Sequence, residues 1–212
     1  MPRPSAPTPS TELGSRFGPI DIYLFDQLLK GRFDGLRRIL DAGCGGGRNL
    51  VYFLQAGFEV FGVDREPEAV TAVRELAAEL APGLPAEHFQ VGEVDRLPFA
   101  AASMDAVLSS AVLHFAADEA QLRGMIAEMW RVLRPGGLFF ARLASSIGIE
   151  GLVVPVAGRR HRLPDGSQRL LVDEDLLLGL TAELGGNLLD PLKTTNVQNL
   201  RAMTTWCVEK GR

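Results

Sequence analysis

An α/β fold is predicted: a three-layer sandwich around a mostly parallel, doubly wound sheet, with an antiparallel C-terminal strand and a small hairpin insertion. Three observations predict it. From residue 36 to 143, short apolar runs alternate with longer amphipathic stretches, the rhythm of βαβ units whose sheet is covered on both faces. The junctions carry capping and stop residues. The last third breaks the rhythm with a turn signal and two strand-like runs close enough to pair antiparallel.

Taken in order, "MPRPSAPTPSTELGSR" is rich in Pro, Ser and Thr and lacks the apolar core of a signal peptide. Residues 1–16 are therefore expected to be a disordered tail, and 17–212 a single domain. In "PIDIYLFDQLLKG", Ile20, Leu24, Gln27 and Leu28 share one stripe before Gly31, which predicts an N-terminal helix within 17–33 that packs on the sheet or covers a site. "LRRILDA" reads as the first strand, "RNLVYFLQAG" as a helix ending at Gly57, and "FEVFGVD" as the second strand. "EPEAVTAVRELAAEL" is a helix with Pro67 in its first turn, where the missing N–H costs nothing. "AEHFQVG" and "MDAVLSS" are the third and fourth strands. Asp118, with Gln121 three residues on, opens the next helix as a capping box. "RPGG" reads as a turn into the fifth strand, "LFFARLA".

In the insertion, 144–172, "RHRLPDGSQRLLV" reads as a hairpin around Pro164-Asp165-Gly166. Over 173–212, Asp173 caps a helix stopped by Gly185-Gly186, and "NLLDPLKTTNV" and "RAMTTWCVEK" follow as strands.

Composition excludes several function classes. The chain has 212 residues, 46% hydrophobic and 23% charged, with a net charge of −4. That suits one domain with a substantial core and argues against a general nucleic-acid binder. His88, His114 and His161 with Cys44 and Cys207 lack zinc-ligand spacing, so no metal is expected. No stretch reads as a membrane span. A soluble, cytoplasmic protein, monomeric or homodimeric, is expected.

The chemistry is carried by "RILDAGCGGGRNL". Glycines in the first strand-to-helix loop of such a sheet let a ligand approach backbone N–H groups at a helix N-terminus. Gly43, Gly45 and Gly47 run G-x-G-x-G, and Arg48 stands where the dinucleotide fingerprint G-x-G-x-x-G has its third glycine. Asp64, closing "VFGVD", is placed to accept from both ribose hydroxyls of an adenosine. Cys44 sits within this loop; a reactive thiol is less favoured there than a small residue filling a cramped turn.

Together "LDAGCGGG", "VFGVD", "VGEVDRLPF", "MDAVLSSAVLHF" and "RVLRPGG" resemble, in order, the class I S-adenosylmethionine-dependent methyltransferases. "GCGGGRNLVYFLQAGFEVFGVD" and "SSAVLHF" further resemble the tellurite-resistance group, which methylates small acceptors. The resemblance implies a Rossmann-like domain with its cofactor-binding half at 36–143 and S-adenosyl-L-methionine as cofactor. It implies that Gly43, Cys44, Gly45 and Gly47 form the loop under the methionine part, with Asp41 helping to hold the ammonium group. Asp64 would hold the ribose, with Arg65 beside the adenine. Glu93 would accept from the adenine amino group, though Asp is commoner there, and Val94 would supply a backbone N–H. Ser109 and Ser110 would line the methyl-transfer side.

On the substrate side, His114 and Arg142 are the candidates. His114 is weighed as a general base against simple packing beside Phe115, and packing is favoured. Arg142 is weighed as an anion partner against a structural salt bridge. The cluster Arg159–Arg162, with Arg169 across the hairpin, is weighed as a cationic lid against a solvated edge, and Tyr23 as a pocket-closing residue against core. The resulting expectation is methyl transfer to a small-molecule acceptor by in-line displacement. The rivals are an S-adenosylmethionine-binding protein without catalysis and a nicotinamide-dependent oxidoreductase.

Overall fold

The computed structural model describes residues 9–212. Helices α1 (Pro9–Phe17) and α2 (Ile22–Leu29) precede β1 (Arg38–Ala42), α3 (Val51–Gln55), β2 (Glu59–Asp64), α4 (Pro67–Leu80), β3 (Phe89–Val91) and β4 (Met104–Ser110). Then come α5 (Glu119–Val132), β5 (Leu133–Ser145), β6 (Val154–Ala157), β7 (Arg160–Arg162), β8 (Gln168–Leu170) and α6 (Glu174–Glu183). The chain closes with β9 (Gly186–Leu188), β10 (Lys193–Val197) and β11 (Arg201–Lys210).

The main sheet runs β10-β11-β5-β4-β1-β2-β3, with β9 pairing β11. β1 through β5 are parallel and β11 lies antiparallel on β5. Strand alternation sends neighbouring side chains to opposite layers. Leu40, Val107 and Phe139 join α5 and α6 through Ile126, Met129 and Leu177. Ile39, Leu108 and Phe140 face α2, α3 and α4 through Leu24, Phe53 and Val73. The order reverses between β1 and β4, and at such a switch point the loops leaving the two strands diverge to open a crevice.

Local chemistry explains most boundaries. Asp21, Asp118 and Asp173 cap α2, α5 and α6 by accepting from the backbone N–H of Tyr23, Gln121 and Leu176, satisfying donors that a helix start leaves unpaired. Gln121 reaches back to the N–H of Ala117 rather than of the cap residue itself. Pro164-Asp165-Gly166 does turn a hairpin, and β6 extends it into a separate sheet ordered β6-β7-β8.

Three expectations are corrected. Residues 9–16, placed in the tail, are helical: α1 is anchored by Phe17, which stacks on Tyr52 and meets Phe25 edge-on. Residues 1–8 of that tail lie outside the described residues. The helix expected from Arg48 begins only at Val51, because Gly47 and Leu50 donate to the carbonyls of Cys44 and Gly47 in successive turns. "RPGG" does not interrupt the fifth strand but forms an irregularity within it: Leu133 pairs with Met104, and regular pairing resumes at Leu138 with Ala106.

Trp206, buried in the middle of β11, donates from its indole to Thr181 Oγ1 at 2.9 Å, and that hydroxyl donates to the carbonyl of Leu177. Thr181→Val keeps the shape and leaves the indole N–H unpaired, a cost of roughly 1–3 kcal/mol. Chemical denaturation should show a lower midpoint with an unchanged slope.

Candidate functional site

A cavity of about 530 Å³ opens at the carboxyl ends of the parallel strands, within the range of about 300–1,000 Å³ usual for small-molecule sites. Its floor is formed by Gly43 to Gly46, Arg48 and Asn49 of the loop after β1; its sides are 64–66 at the end of β2, 92–95 after β3, and 110–112 with Phe115 and Ala116 at the end of β4.

The loop is fixed from one side by β2. The N–H groups of Gly43 and Cys44 donate to the carbonyl of Val63 at 2.8 and 3.0 Å. The Asp64 carboxylate accepts from the N–H of Gly45 at 2.8 Å and, through its other oxygen, from Glu66 N at 3.0 Å. Each carboxylate oxygen has lone pairs to spare, so Asp64 clamps the loop and still presents acceptors at the cavity wall.

Two glycines of the motif serve different ends. A Cβ on Gly45 would meet no atom within 4 Å, because that position opens on the cavity. A Cβ on Gly47 would lie 2.8 Å from Leu76 and from Val73 of α4, and Gly47 is not part of the wall. Gly47 was expected under the ligand; it instead lets α4 pack closely on the loop. That is the role of the third glycine in the dinucleotide fingerprint, so the glycine register does not by itself separate the two cofactor classes.

Cys44, Arg65, Glu93 and Val94 line the cavity, as does Asp95, which accepts from Gln121. Cys44 is buried, and burial first, then Asp41 and Asp64, push its thiol well above the ordinary range, so it is no nucleophile. Arg65 pairs with Glu66 on the exposed rim.

Asp41 stands behind the loop rather than in the wall. It is buried with one carboxylate oxygen unpartnered. Burial pushes its carboxyl up to about 8, with Arg48 pulling it down and Asp64 pushing it up. Ser109, expected on the methyl-transfer side, is fully buried inside β4 with its hydroxyl unpartnered, away from the cavity surface. Ser110 does reach the cavity.

Ser110 also belongs to a network centred on Asp21, a residue the sequence reading did not single out. Asp21 Oδ2 accepts from Ser110 Oγ at 3.1 Å and from Arg142 Nη1 at 3.2 Å, with Arg48 Nη2 at 3.8 Å. Its N–H donates to Asn49 Oδ1. The Arg142 guanidinium lies over the Tyr23 ring, and Tyr23 hydrogen-bonds Thr195. The cap of α2 thus reaches into the site beside the glycine loop. Two signals for this were available: Asp21 is a capping-type residue early in the predicted helix segment, and Arg48 and Asn49 directly follow the glycines.

His114 and Arg142 are brought together in a neighbouring cavity of about 240 Å³ that meets the first at Ala111. His114 does not fit a general base. Its Nδ1 accepts from the backbone N–H of Ala144, and burial, with Arg169 and Arg142, lowers its pKa to about 4. Within the Arg159–Arg162 cluster, Arg159 pairs with Glu119 and Asp173, and Arg160 donates to the carbonyl of Ala116. Those two side chains hold the hairpin to the domain and are no lid. Among the described residues, no group of three or more His, Cys, Asp or Glu could hold a metal ion.

Strand order, switch-point crevice and an acid-clamped glycine loop define a Rossmann-like domain built for a nucleoside ligand. Residues 40–141 match the family described as "Methyltransferase domain". An uncharacterized methyltransferase of Synechocystis is 35% identical over 49% of this chain and 45% of its own length. A malonyl-(acyl-carrier protein) O-methyltransferase of Serratia marcescens is 33% identical over 51% of this chain and 39% of its own. The chain therefore spans less than half the length of these relatives. Among solved structures, a 1,6-didemethyltoxoflavin N1-methyltransferase of Burkholderia thailandensis, holding that compound and S-adenosylhomocysteine, superposes with a TM-score of 0.69 at 20% identity, over 96% of this chain and 83% of the other. Over residues 40–141 the chain is similar to the methyltransferases in sequence, and its fold is that of the class I S-adenosylmethionine-dependent enzymes; the matches do not single out the tellurite-resistance branch. No helix among the described residues is long and apolar enough to cross a membrane.

Gly45→Ala and Gly47→Ala should separate. Both force a side chain into left-handed backbone, costing roughly 1–2 kcal/mol. Gly47→Ala adds overpacking against α4 of about 1–3 kcal/mol, so its melting temperature should fall further. Gly45→Ala should be the milder for stability and the more severe for ligand binding, compared by calorimetry and thermal melting.

His114 gives a pH signature. Unfolded, the ring takes a proton near 6.5; folded, only near 4. The unfolded chain is therefore protonated first, and His114 removes stability as pH falls from about 6.5 to 4. His114→Gln should lack that slope, so the wild-type minus variant difference in unfolding free energy, measured by denaturation at each pH, should fall as pH drops from about 6.5 to 4.

Proposed function

We propose that this protein is an S-adenosylmethionine-dependent methyltransferase acting on a small-molecule acceptor. The observation that carries the reading is the loop itself: backbone clamped by Asp64, with the Gly45 position open to the cavity.

The residues present fit the cofactor. The unpartnered, buried carboxylate oxygen of Asp41 suits a cationic group over the loop, through the field it sets up with Arg48. Arg48, at the cavity floor, suits a carboxylate. Asp64 would hold ribose hydroxyls, and Glu93 with the Val94 N–H would take the adenine edge. When bound, S-adenosylmethionine supplies a methyl group on a sulfonium, activated for displacement.

What remains for the chain is positioning. Displacement needs the attacking atom in line behind the methyl carbon and water kept away. Val112, Phe115, Ala116 and Met125 give an apolar wall facing the loop, and the Asp21 network closes the side toward α2. His114 supplies no base at neutral pH, so the reading favours an acceptor that is nucleophilic as it arrives or loses its proton to water. Two of the named proteins act on different acceptors, a malonyl-(acyl-carrier protein) and 1,6-didemethyltoxoflavin; a small-molecule acceptor here is supported by the size of the cavity.

Calorimetric titration with S-adenosylmethionine, S-adenosylhomocysteine and NAD, on wild type and Asp64→Ala, tests the reading. Saturable binding of the first two, weakened at least about tenfold in the variant as expected for lost hydrogen bonds to a charged group, is the expected result. Binding of NAD alone would replace it with the oxidoreductase reading. Tight cofactor binding with no transfer of labelled methyl to any acceptor would leave a binding protein.

Asp41 adds a pH dependence. Its carboxyl ionises only near 8, and a cationic ligand favours the ionised form, so binding should draw a proton off it below that pH. S-adenosylmethionine affinity should rise from pH 6 to 8 in wild type, with proton release. Asp41→Asn should show a flatter profile and fewer protons released, measured in buffers of different ionisation enthalpy.

A further inference from the structure

We propose that the smaller cavity, across Ala111 from the glycine loop, binds a carboxylate group of the methyl acceptor through Arg142, Arg169 and Arg201. The proposal rests on the methyltransferase reading of the larger cavity and names the chemical class of its second substrate.

Three arginines, Arg142, Arg169 and Arg201, line this cavity of about 240 Å³, with Asp165 and His114 and apolar residues that include Leu163 and Met203. Arginines on the outer side of the same hairpin are consumed: Arg159 by two carboxylates and Arg160 by a carbonyl. The cavity-lining ones are not. Arg142 places Nη1 on Asp21, while its Nε is buried without a partner. Arg169 donates one N–H to the carbonyl of Gln168 and lies over the Phe115 ring. Among the described residues, neither Arg169 nor Arg201 forms an ion pair within 4.0 Å. A guanidinium carries five N–H donors in a planar fork that matches a carboxylate, so donors not used within the protein face this cavity.

The charge balance favours an anion. Against the three arginines stand Asp165, whose carboxyl is held low by Ser167 first and then by Arg201 and Arg169, and Asp21, which Arg142 shares with Arg48. His114 is neutral, because its Nδ1 accepts from Ala144. Net positive charge is left over, and the planar guanidinium fork matches a carboxylate.

The position fits a two-site reaction. Ala111 lines both cavities, sits in left-handed backbone at φ 65°, and donates to the carbonyl of Arg142 at 2.7 Å. Non-glycine residues persist in that conformation only where their surroundings hold them there. An acceptor anchored by its carboxylate in the smaller cavity has its remaining length directed past Ala111 toward the glycine loop.

The test titrates the S-adenosylhomocysteine-loaded full chain with benzoate, its neutral isostere benzamide and inorganic phosphate, followed by NMR of the arginine side-chain N–H signals. Benzoate should bind saturably and at least about tenfold more tightly than benzamide, the scale of a charge-assisted hydrogen bond. Arg169→Ala and Arg201→Ala should each weaken benzoate by a similar factor while S-adenosylhomocysteine affinity stays within about twofold; Arg169→Gln and Arg201→Gln serve if either alanine variant fails to fold. Arg162→Ala, on the exposed side of the same hairpin, should change nothing.

Equal binding of benzoate and benzamide, tighter binding of phosphate, or an equal loss in Arg162→Ala would overturn the proposal. So would an S-adenosylhomocysteine-loaded chain that takes up no benzoate. A chain that binds no S-adenosylhomocysteine at all would instead remove the methyltransferase reading, and this inference with it.

Discussion

The loop between β1 and α3 is held in one shape by hydrogen bonds from both the backbone and the side chain at the end of β2, and the rest of the site follows from that. Val63 O takes two successive N–H groups and the Asp64 carboxylate takes the next. With the loop pinned, Gly47 sits against α4, Asp41 is sealed beneath, and the Gly45 face is left open. Neutral backbone hydrogen bonds contribute about 0.5–1.5 kcal/mol each, and the one to a carboxylate more. Their larger effect is geometric. They present a bare stretch of backbone at the switch point, where the strand order opens a crevice.

A second constraint ties the N-terminal helices to this loop. Asp21 is a buried carboxylate that caps α2 while bonded to Ser110 and Arg142, with Arg48 close by. A charge taken out of water is tolerated only when its lone pairs are filled and opposite charge is near, and here one residue meets both conditions. The same contact orders α2 against the mouth of the site and fixes Arg142 at the wall of the smaller cavity. Helix capping, site closure and arginine placement are therefore one piece of physics rather than three.

Much of this was legible in the sequence. The alternation of apolar runs with amphipathic stretches places every strand from β1 to β5, and MDAVLSS is a strand from its first residue to its last. Asp118 and Asp173 announce their helices because capping is local. Asp64 reads correctly as a strand-end acid because strand, turn and acid are contiguous. The RPGG irregularity was not legible, since whether such a turn ends a strand depends on what β4 offers opposite it. Residues 9–16 looked like tail because their composition carries no sign of the aromatic contacts that Phe17 makes with Tyr52 and Phe25.

By itself, then, the sequence determined the α/β class, the order of the elements, and the loop with its acid, all properties set within a dozen or so neighbouring residues by periodicity, capping and glycine's lack of a side chain. The tertiary structure alone decided which glycine opens on the cavity and which packs on α4. It alone brought Asp21 from before the first strand onto Ser110, 89 positions away, and onto Arg142, 121 away. It alone set Arg169 and Arg201 along the smaller cavity while Arg159 and Arg160 were spent on the domain. The reason is that burial, charge pairing and orphaned donors are relations between segments distant in the chain, and no local pattern encodes which distant partner will arrive.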